Sequence, residues 1–182
     1  MEGGINAWKG LVAEGAPDSG MAYFSPATRP EEMIALAWLL EDGSRRFYSE
    51  LTATLTDKEA IDLYHQLVTA EEHHQASLLK LYQESSGKAP DPGFPGSVIS
   101  REKEGDVMEG GMLVDEALRW AKGKGVREIL DLSISLETNS YDLYLKLERQ
   151  TKDPRSVEVF NVLSREEKQH LERLSSMLEK RI

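Results

Sequence analysis

A chain of 182 residues is long enough for one ordinary domain with a real core, plus appended sequence, and short for two full domains. A formal net charge of -10 and a pI near 5.0 disfavour nucleic acid or an anionic membrane as the main partner and favour cations. With no cysteine, the chain has no disulfide, iron–sulfur cluster, thiolate zinc site or cysteine nucleophile, so a bound metal must be held by oxygen and imidazole. The opening MEGGINAWKG lacks the basic start and apolar run of a secretory signal. No uncharged stretch approaches the ~20 residues that cross a bilayer, so a soluble, cytoplasmic protein is expected.

Residues 1–28 are rich in glycine, proline and small side chains and read as a linker or tail, separate from a helical domain over 29–182. Pro30-Glu31-Glu32 then suits the first turn of a helix, with acids at the positive end of its dipole. Ile34, Ala37, Glu41, Ser44, Tyr48, Leu51 and Leu55 follow at 3–4 spacing, which predicts a core-facing helix over about 30–54. An N-cap candidate at Thr56-Asp57 comes after only a short break. The second helix, about 57–84, should therefore fold back antiparallel, with Leu67, Glu71, His74, Leu78 and Leu81 on its seam.

The next thirty or so residues are studded with Gly and Pro, too long for an ordinary connection, and predict a crossover along the bundle with a short helix near 112–121. Helix three, about 126–151, carries Leu130, Ser133, Glu137, Ser140, Tyr144 and Leu147. Asp153-Pro154 opens helix four, about 154–180, with Phe160, Leu163, Glu167, His170, Leu174 and Met177 on one face.

The two halves superimpose at an offset of 96 residues. Glu32, Leu36, Leu40, Glu41, Ser44, Tyr48, Leu51, Asp57, Leu67, Glu71, His74 and Leu78 meet identical residues at 128, 132, 136, 137, 140, 144, 147, 153, 163, 167, 170 and 174. Chance would supply roughly three or four such identities. The chain is thus a duplicated helical hairpin, and two hairpins packed about a pseudo-twofold axis make an all-α four-helix bundle with one long crossover.

Glutamate is rarely buried without neutralisation, yet Glu41, Glu71, Glu137 and Glu167 stand on apolar rows. Three-residue spacing sets Glu71 with His74, and Glu167 with His170, one turn apart on one helix face. Four carboxylates left in an apolar core would repel one another, whereas two divalent cations cancel them and leave both imidazoles neutral. This donor set suits iron or manganese better than tetrahedral structural zinc. His65 and His73 lie off the seam, and Arg45-Arg46 reads as solvated charge. Trp38 and Trp120 are expected to pack on the crossover or a partner subunit.

Residues 30–181 resemble the ferritin-like domain of the rubrerythrin and bacterioferritin group. LVTAEEHHQASL and VLSREEKQHLERL are similar to its paired Glu-x-x-His helices, and LLEDGSRRFYSEL and SLETNSYDLYLKL to its paired single-Glu helices. The resemblance implies two iron ions, with manganese or zinc as alternatives. Glu71 and Glu167 would bridge, Glu41 and Glu137 would be terminal ligands, His74 and His170 would bind one ion each, and Tyr48 and Tyr144 would orient carboxylates. It implies an oxidoreductase reducing hydrogen peroxide or dioxygen, or else a non-catalytic iron-handling protein of ferroxidase or storage type.

Two departures stand out. Ser140 occupies a position where rubrerythrins commonly carry a further Glu, and the chain has no cysteines for a rubredoxin module, so an external rubredoxin or reductase is the expected electron donor. A homodimer is expected, with neither nucleic acid nor membrane as partner. EGGINAWKGLVAEGAP is similar to the last strand-to-helix segment of rhodanese sulfurtransferases. Without the loop cysteine it implies a remnant or truncation and no sulfurtransferase activity.

Overall fold

The computed structural model describes residues 29–99 and 106–181. The expected rhodanese-like segment and linker at 1–28 lie outside the described residues. Four long helices form the body: α1 (Pro30–Thr54), α2 (Lys58–Ser86), α4 (Val126–Gln150) and α5 (Pro154–Glu179), with a short α3 (Val114–Ala121) in the crossover. Each long helix ends within two residues of its sequence expectation. An all-α, ferritin-like bundle is what the described residues form, and none of their helices is long and apolar enough to cross a membrane.

The starts are chemically marked. Asp57 accepts a hydrogen bond from Ala60 N at 2.9 Å and Asp153 from Ser156 N at 3.0 Å, each satisfying an amide left free by the first helical turn. At the end of α2, Gly87 takes the left-handed conformation (φ 69°) that closes a helix cheaply only without a Cβ. Contacts between Glu31 and Ser85 and between Asp42 and Gln75 place α1 and α2 antiparallel. Asp57 and Glu59 meet Arg181 and Lys180, so α2 and α5 also run antiparallel.

The core is divided in two. One apolar cluster gathers Phe47, Leu51, Leu63, Leu67, Leu130, Leu136 and Leu174; the other gathers Ile34, Leu40, Leu78, Leu81, Leu147, Phe160 and Leu163. Burial of such side chains contributes roughly 1.5–3 kcal/mol each, and the polar layer between the clusters is held in place by both. Val162 is the exposed large hydrophobic side chain among the described residues, and Met33, Trp38, Leu39 and Ile134 are half-buried at the edges of the two clusters.

The crossover is more structured than its composition suggests. Asp106 pairs with Arg46, Val107 bridges to Leu113, and Met108 N donates to Met112 O at 3.0 Å, which makes a tight hook over α1. That pairing consumes Met112 and Leu113, so α3 begins at Val114 rather than at the expected 112. Arg46 is therefore ion-paired, and Arg45 pairs with Asp42 at 2.9 Å, where solvated charge was expected. Trp38 packs edge-on against Phe94 of the crossover, as expected, while Trp120 packs against the core cluster containing Leu63.

The hook fits because residue 43 is glycine: a Cβ there would lie 2.7 Å from Met108 Cα, closer than any packed carbon can stand. Gly110 turns the hook with φ 76° and lies against Asn139, the residue equivalent to Gly43 in the second half.

Candidate metal centre

The six residues singled out from the sequence come together in the polar layer between the two apolar clusters. Glu41, Glu71, Glu137 and Glu167 are fully buried, and His74 and His170 nearly so. Helix periodicity explains the arrangement: α2 and α5 each present Glu and His one turn apart, and α1 and α4 bring one Glu each to the same level.

Two points of convergence result. His74 Nδ1 lies 3.1 Å from Glu41 Oε2, 3.0 Å from Glu71 Oε2 and 3.2 Å from Glu167 Oε1. His170 Nδ1 lies 3.0 Å from Glu137 Oε2 and 3.3 Å from Glu167 Oε2. Glu41, Glu71, His74 and Glu167 form one group able to hold a cation, and Glu71, Glu137 and His170 another, with Glu71 shared. The imidazole rings stack with centroids 5.5 Å apart.

One ring nitrogen carries at most one proton, and so cannot satisfy three carboxylates at once. Both oxygens of Glu71 and both of Glu167 are buried without a hydrogen bond. An orphaned buried carboxylate oxygen costs on the order of 1–3 kcal/mol or more, and four of them facing two imidazole nitrogens fit the donor set of a pair of divalent cations. The residues therefore fit the two-metal site that the sequence suggested.

Tyr48 and Tyr144 act across the bundle, not along their own helices. Tyr48 OH donates to Glu137 Oε1 at 2.5 Å, and Tyr144 OH donates to Glu41 Oε1. Each terminal glutamate thus has one oxygen held by tyrosine and the other beside a histidine. Burial, followed by the facing carboxylates, pushes both phenols well above their ordinary range, so they remain donors.

Electrostatics divides the four glutamates into two kinds. Burial, then repulsion by Glu41 and Glu137 respectively, pushes Glu71 and Glu167 well above the ordinary carboxylate range. Burial acts the same way on Glu41 and Glu137 but is outweighed. The His74 charge leads in holding Glu41 below its usual value, and sharing of a proton held by Glu167, then the His170 charge, hold Glu137 at about 2. Desolvation would lower His74, but Glu41 and Glu167 drive it well upward. Burial and mutual repulsion thus favour the protonated forms of Glu71 and Glu167 wherever no cation neutralises them.

Two acidic residues that the sequence reading missed also belong to this neighbourhood. Glu166, half exposed, places Oε2 3.0 Å from His74 Nε2, close enough for an ion pair but off the line of a hydrogen bond. Glu109, in the crossover hook, is buried and accepts a hydrogen bond from Ser44 Oγ at 2.7 Å. Ser140, equivalent to Ser44, bonds instead to Leu136 O of its own helix. His65 and His73 are exposed and take no part, as expected.

A model of the rubrerythrin family matches residues 128–182, which hold Glu137, Glu167 and His170. No curated protein matches the chain. Among solved structures, a hypothetical protein from Pyrococcus furiosus is similar at 24% identity over 91% of this chain and 95% of its own, with a TM-score of 0.63. That likeness concerns the fold. None of these comparisons supports the rhodanese-like reading of the first residues.

Proposed function

We propose that this chain is a non-haem di-iron oxidoreductase of rubrerythrin-like type that reduces hydrogen peroxide or dioxygen. The observation that carries the reading is the pair of convergence points, each a histidine Nδ1 set among buried carboxylates, with Glu71 and Glu167 offering unpartnered oxygens between them. The rubrerythrin-family match over the second hairpin supports it. Glu41, His74, Glu137 and His170 would hold the two ions individually, and Glu71 and Glu167 jointly.

When bound, two ferrous ions would supply the two electrons that, with two protons, convert hydrogen peroxide to two waters, and an external rubredoxin or reductase would return the electrons. The chain's own residues do the positioning. Tyr48 and Tyr144 fix the outer oxygens of Glu137 and Glu41, which restricts carboxylate rotation to the inner oxygen. The apolar clusters above and below exclude bulk water, so charge interactions inside the layer are strong.

Stopped-flow mixing of anaerobically iron-loaded protein with peroxide or dioxygen should produce the absorption of an oxidised iron pair, with two irons oxidised per peroxide consumed. No such absorption, with two irons demonstrably bound, would sink the redox reading. Iron oxidised and then released, without turnover by any donor, would favour the iron-handling alternative.

A further inference from the structure

Glu109 is unexplained by the six-residue site. It comes from the crossover, not from a bundle helix, yet is only 1% exposed. One carboxylate oxygen accepts from Ser44, which stands one helical turn beyond Glu41; the other, Oε1, is buried without a partner. The charged groups that bear on it are Glu41, Glu167 and Glu137, all members of the site. No cation among the described residues pairs with it. A solvated surface acid would need none of this burial, and a purely structural one would have both oxygens satisfied.

The backbone around Glu109 is built to hold it there. Gly43 lets the hook approach α1 at a distance that any other residue would block, and Gly110 and Gly111 adopt positive φ (76° and 78°) directly after it. Ser140, the counterpart of Ser44, bonds Leu136 O of its own helix, so the pairing of a serine with a crossover carboxylate belongs to the first half.

We propose that Glu109 is a seventh protein ligand, a fifth carboxylate that the crossover delivers to the ion held by Glu41 and His74. The assignment rests on the two-metal reading above. Because Glu109 serves one ion and has no counterpart at the other among the described residues, it would make the two sites unequal in affinity.

The test is calorimetric titration of the full-length, metal-free protein with Mn2+ and with Co2+, wild type against Glu109→Gln, with melting of both metal-free proteins as a check on folding. Wild type should bind two ions. The variant should bind one of them at least about tenfold more weakly, with the other little changed. Unchanged affinity at both sites would overturn the assignment while leaving the two-metal reading intact. Equal weakening at both sites would also overturn it, and a wild type that binds no metal would overturn both. Should the variant not fold, an anomalous-scattering map of the metal-loaded wild type decides the matter. A Glu109 oxygen within about 2.0–2.6 Å of an ion supports the proposal, and Glu109 still bonded only to Ser44 refutes it.

Discussion

Each hairpin carries the same three residues of the site, two glutamates and a histidine, but in different surroundings. His74 has Glu166 beside its outer nitrogen, whereas the residue equivalent to Glu166 next to His170 is Ala70. Ser44 holds Glu109, whereas Ser140 bonds its own helix. Tyr64 bonds Ser133 at 2.9 Å, where the symmetry-related pair is Phe160 and Ala37. Gly43 admits the crossover, and Asn139 receives its turn. What the duplication kept is the set of groups that must converge on a centre. What it let drift is everything that could make one side of that centre differ from the other.

The strongest way to break the symmetric part is to remove a shared carboxylate. Glu71→Gln or Glu167→Gln should abolish binding of the pair, weakening both sites by well over the ~10–100-fold that loss of an outer group costs. The same substitutions should stabilise the metal-free protein, by about 1–2 kcal/mol, because they remove a buried carboxyl that must take up a proton on folding at neutral pH. Metal analysis and thermal melting of apo and loaded protein would read the two opposite signs. If both fall together, the glutamates are structural.

Acidity should move the metal-free and loaded proteins in opposite directions. Glu71, Glu109 and Glu167 are raised from an ordinary 4.5, and His74 and His170 from 6.5, so the folded metal-free protein binds more protons than the unfolded chain. Its stability should be fully present below those ordinary values and decline as pH rises through the raised folded ones. Glu41 and Glu137 are depressed and act the other way: their contribution is present above 4.5 and is lost as pH falls through the folded values, about 2 for Glu137. Melting temperatures taken from about pH 4 to 9 should fall for the metal-free form, while the increment from metal grows with pH because the donors must be deprotonated. A metal-free protein whose stability climbs steadily with pH would contradict this.

The tyrosines sharpen the comparison because they cross it. Tyr48 sits in the first hairpin but holds Glu137, and Tyr144 sits in the second but holds Glu41. Tyr48→Phe should therefore weaken the site of His170 by about tenfold, and Tyr144→Phe that of His74. Site-resolved titration with Co2+ would tell them apart. Each tyrosine weakening the site of its own hairpin would mean that the crossed hydrogen bonds do not govern the ligands.

The helices, their antiparallel order and the convergence of the six residues were legible in the sequence because they obey periodicity. A Glu-x-x-His on an apolar seam at the same offset in both halves leaves little else to mean. Glu109 was not legible, since an acid between Met108 and two glycines in a long polar connection reads as solvated charge, and its burial depends on a hook that only tertiary contact with Gly43 creates. Glu166 was hidden for a different reason. It lies one residue before a ligand, off the seam, and reaches His74 of another helix rather than a neighbour on its own.

That last contact gives the smallest and most discriminating expectation. Glu166 is 45% exposed, so its pairing with His74 Nε2 is partly screened by water. Its value is in orientation: a carboxylate beside the outer nitrogen favours the tautomer that keeps Nδ1 free for a cation. Glu166→Gln should weaken the site of Glu41 and His74 by only a few-fold and leave that of Glu137 and His170 unchanged. Ala70→Glu in the same protein should place an equivalent acid beside His170, tightening that site to a similar small extent and bringing the two affinities closer. If Ala70→Glu changes nothing while Glu166→Gln weakens both sites, the inequality of the two hairpins does not originate at the histidines and must lie on the side of Ser44 and Glu109.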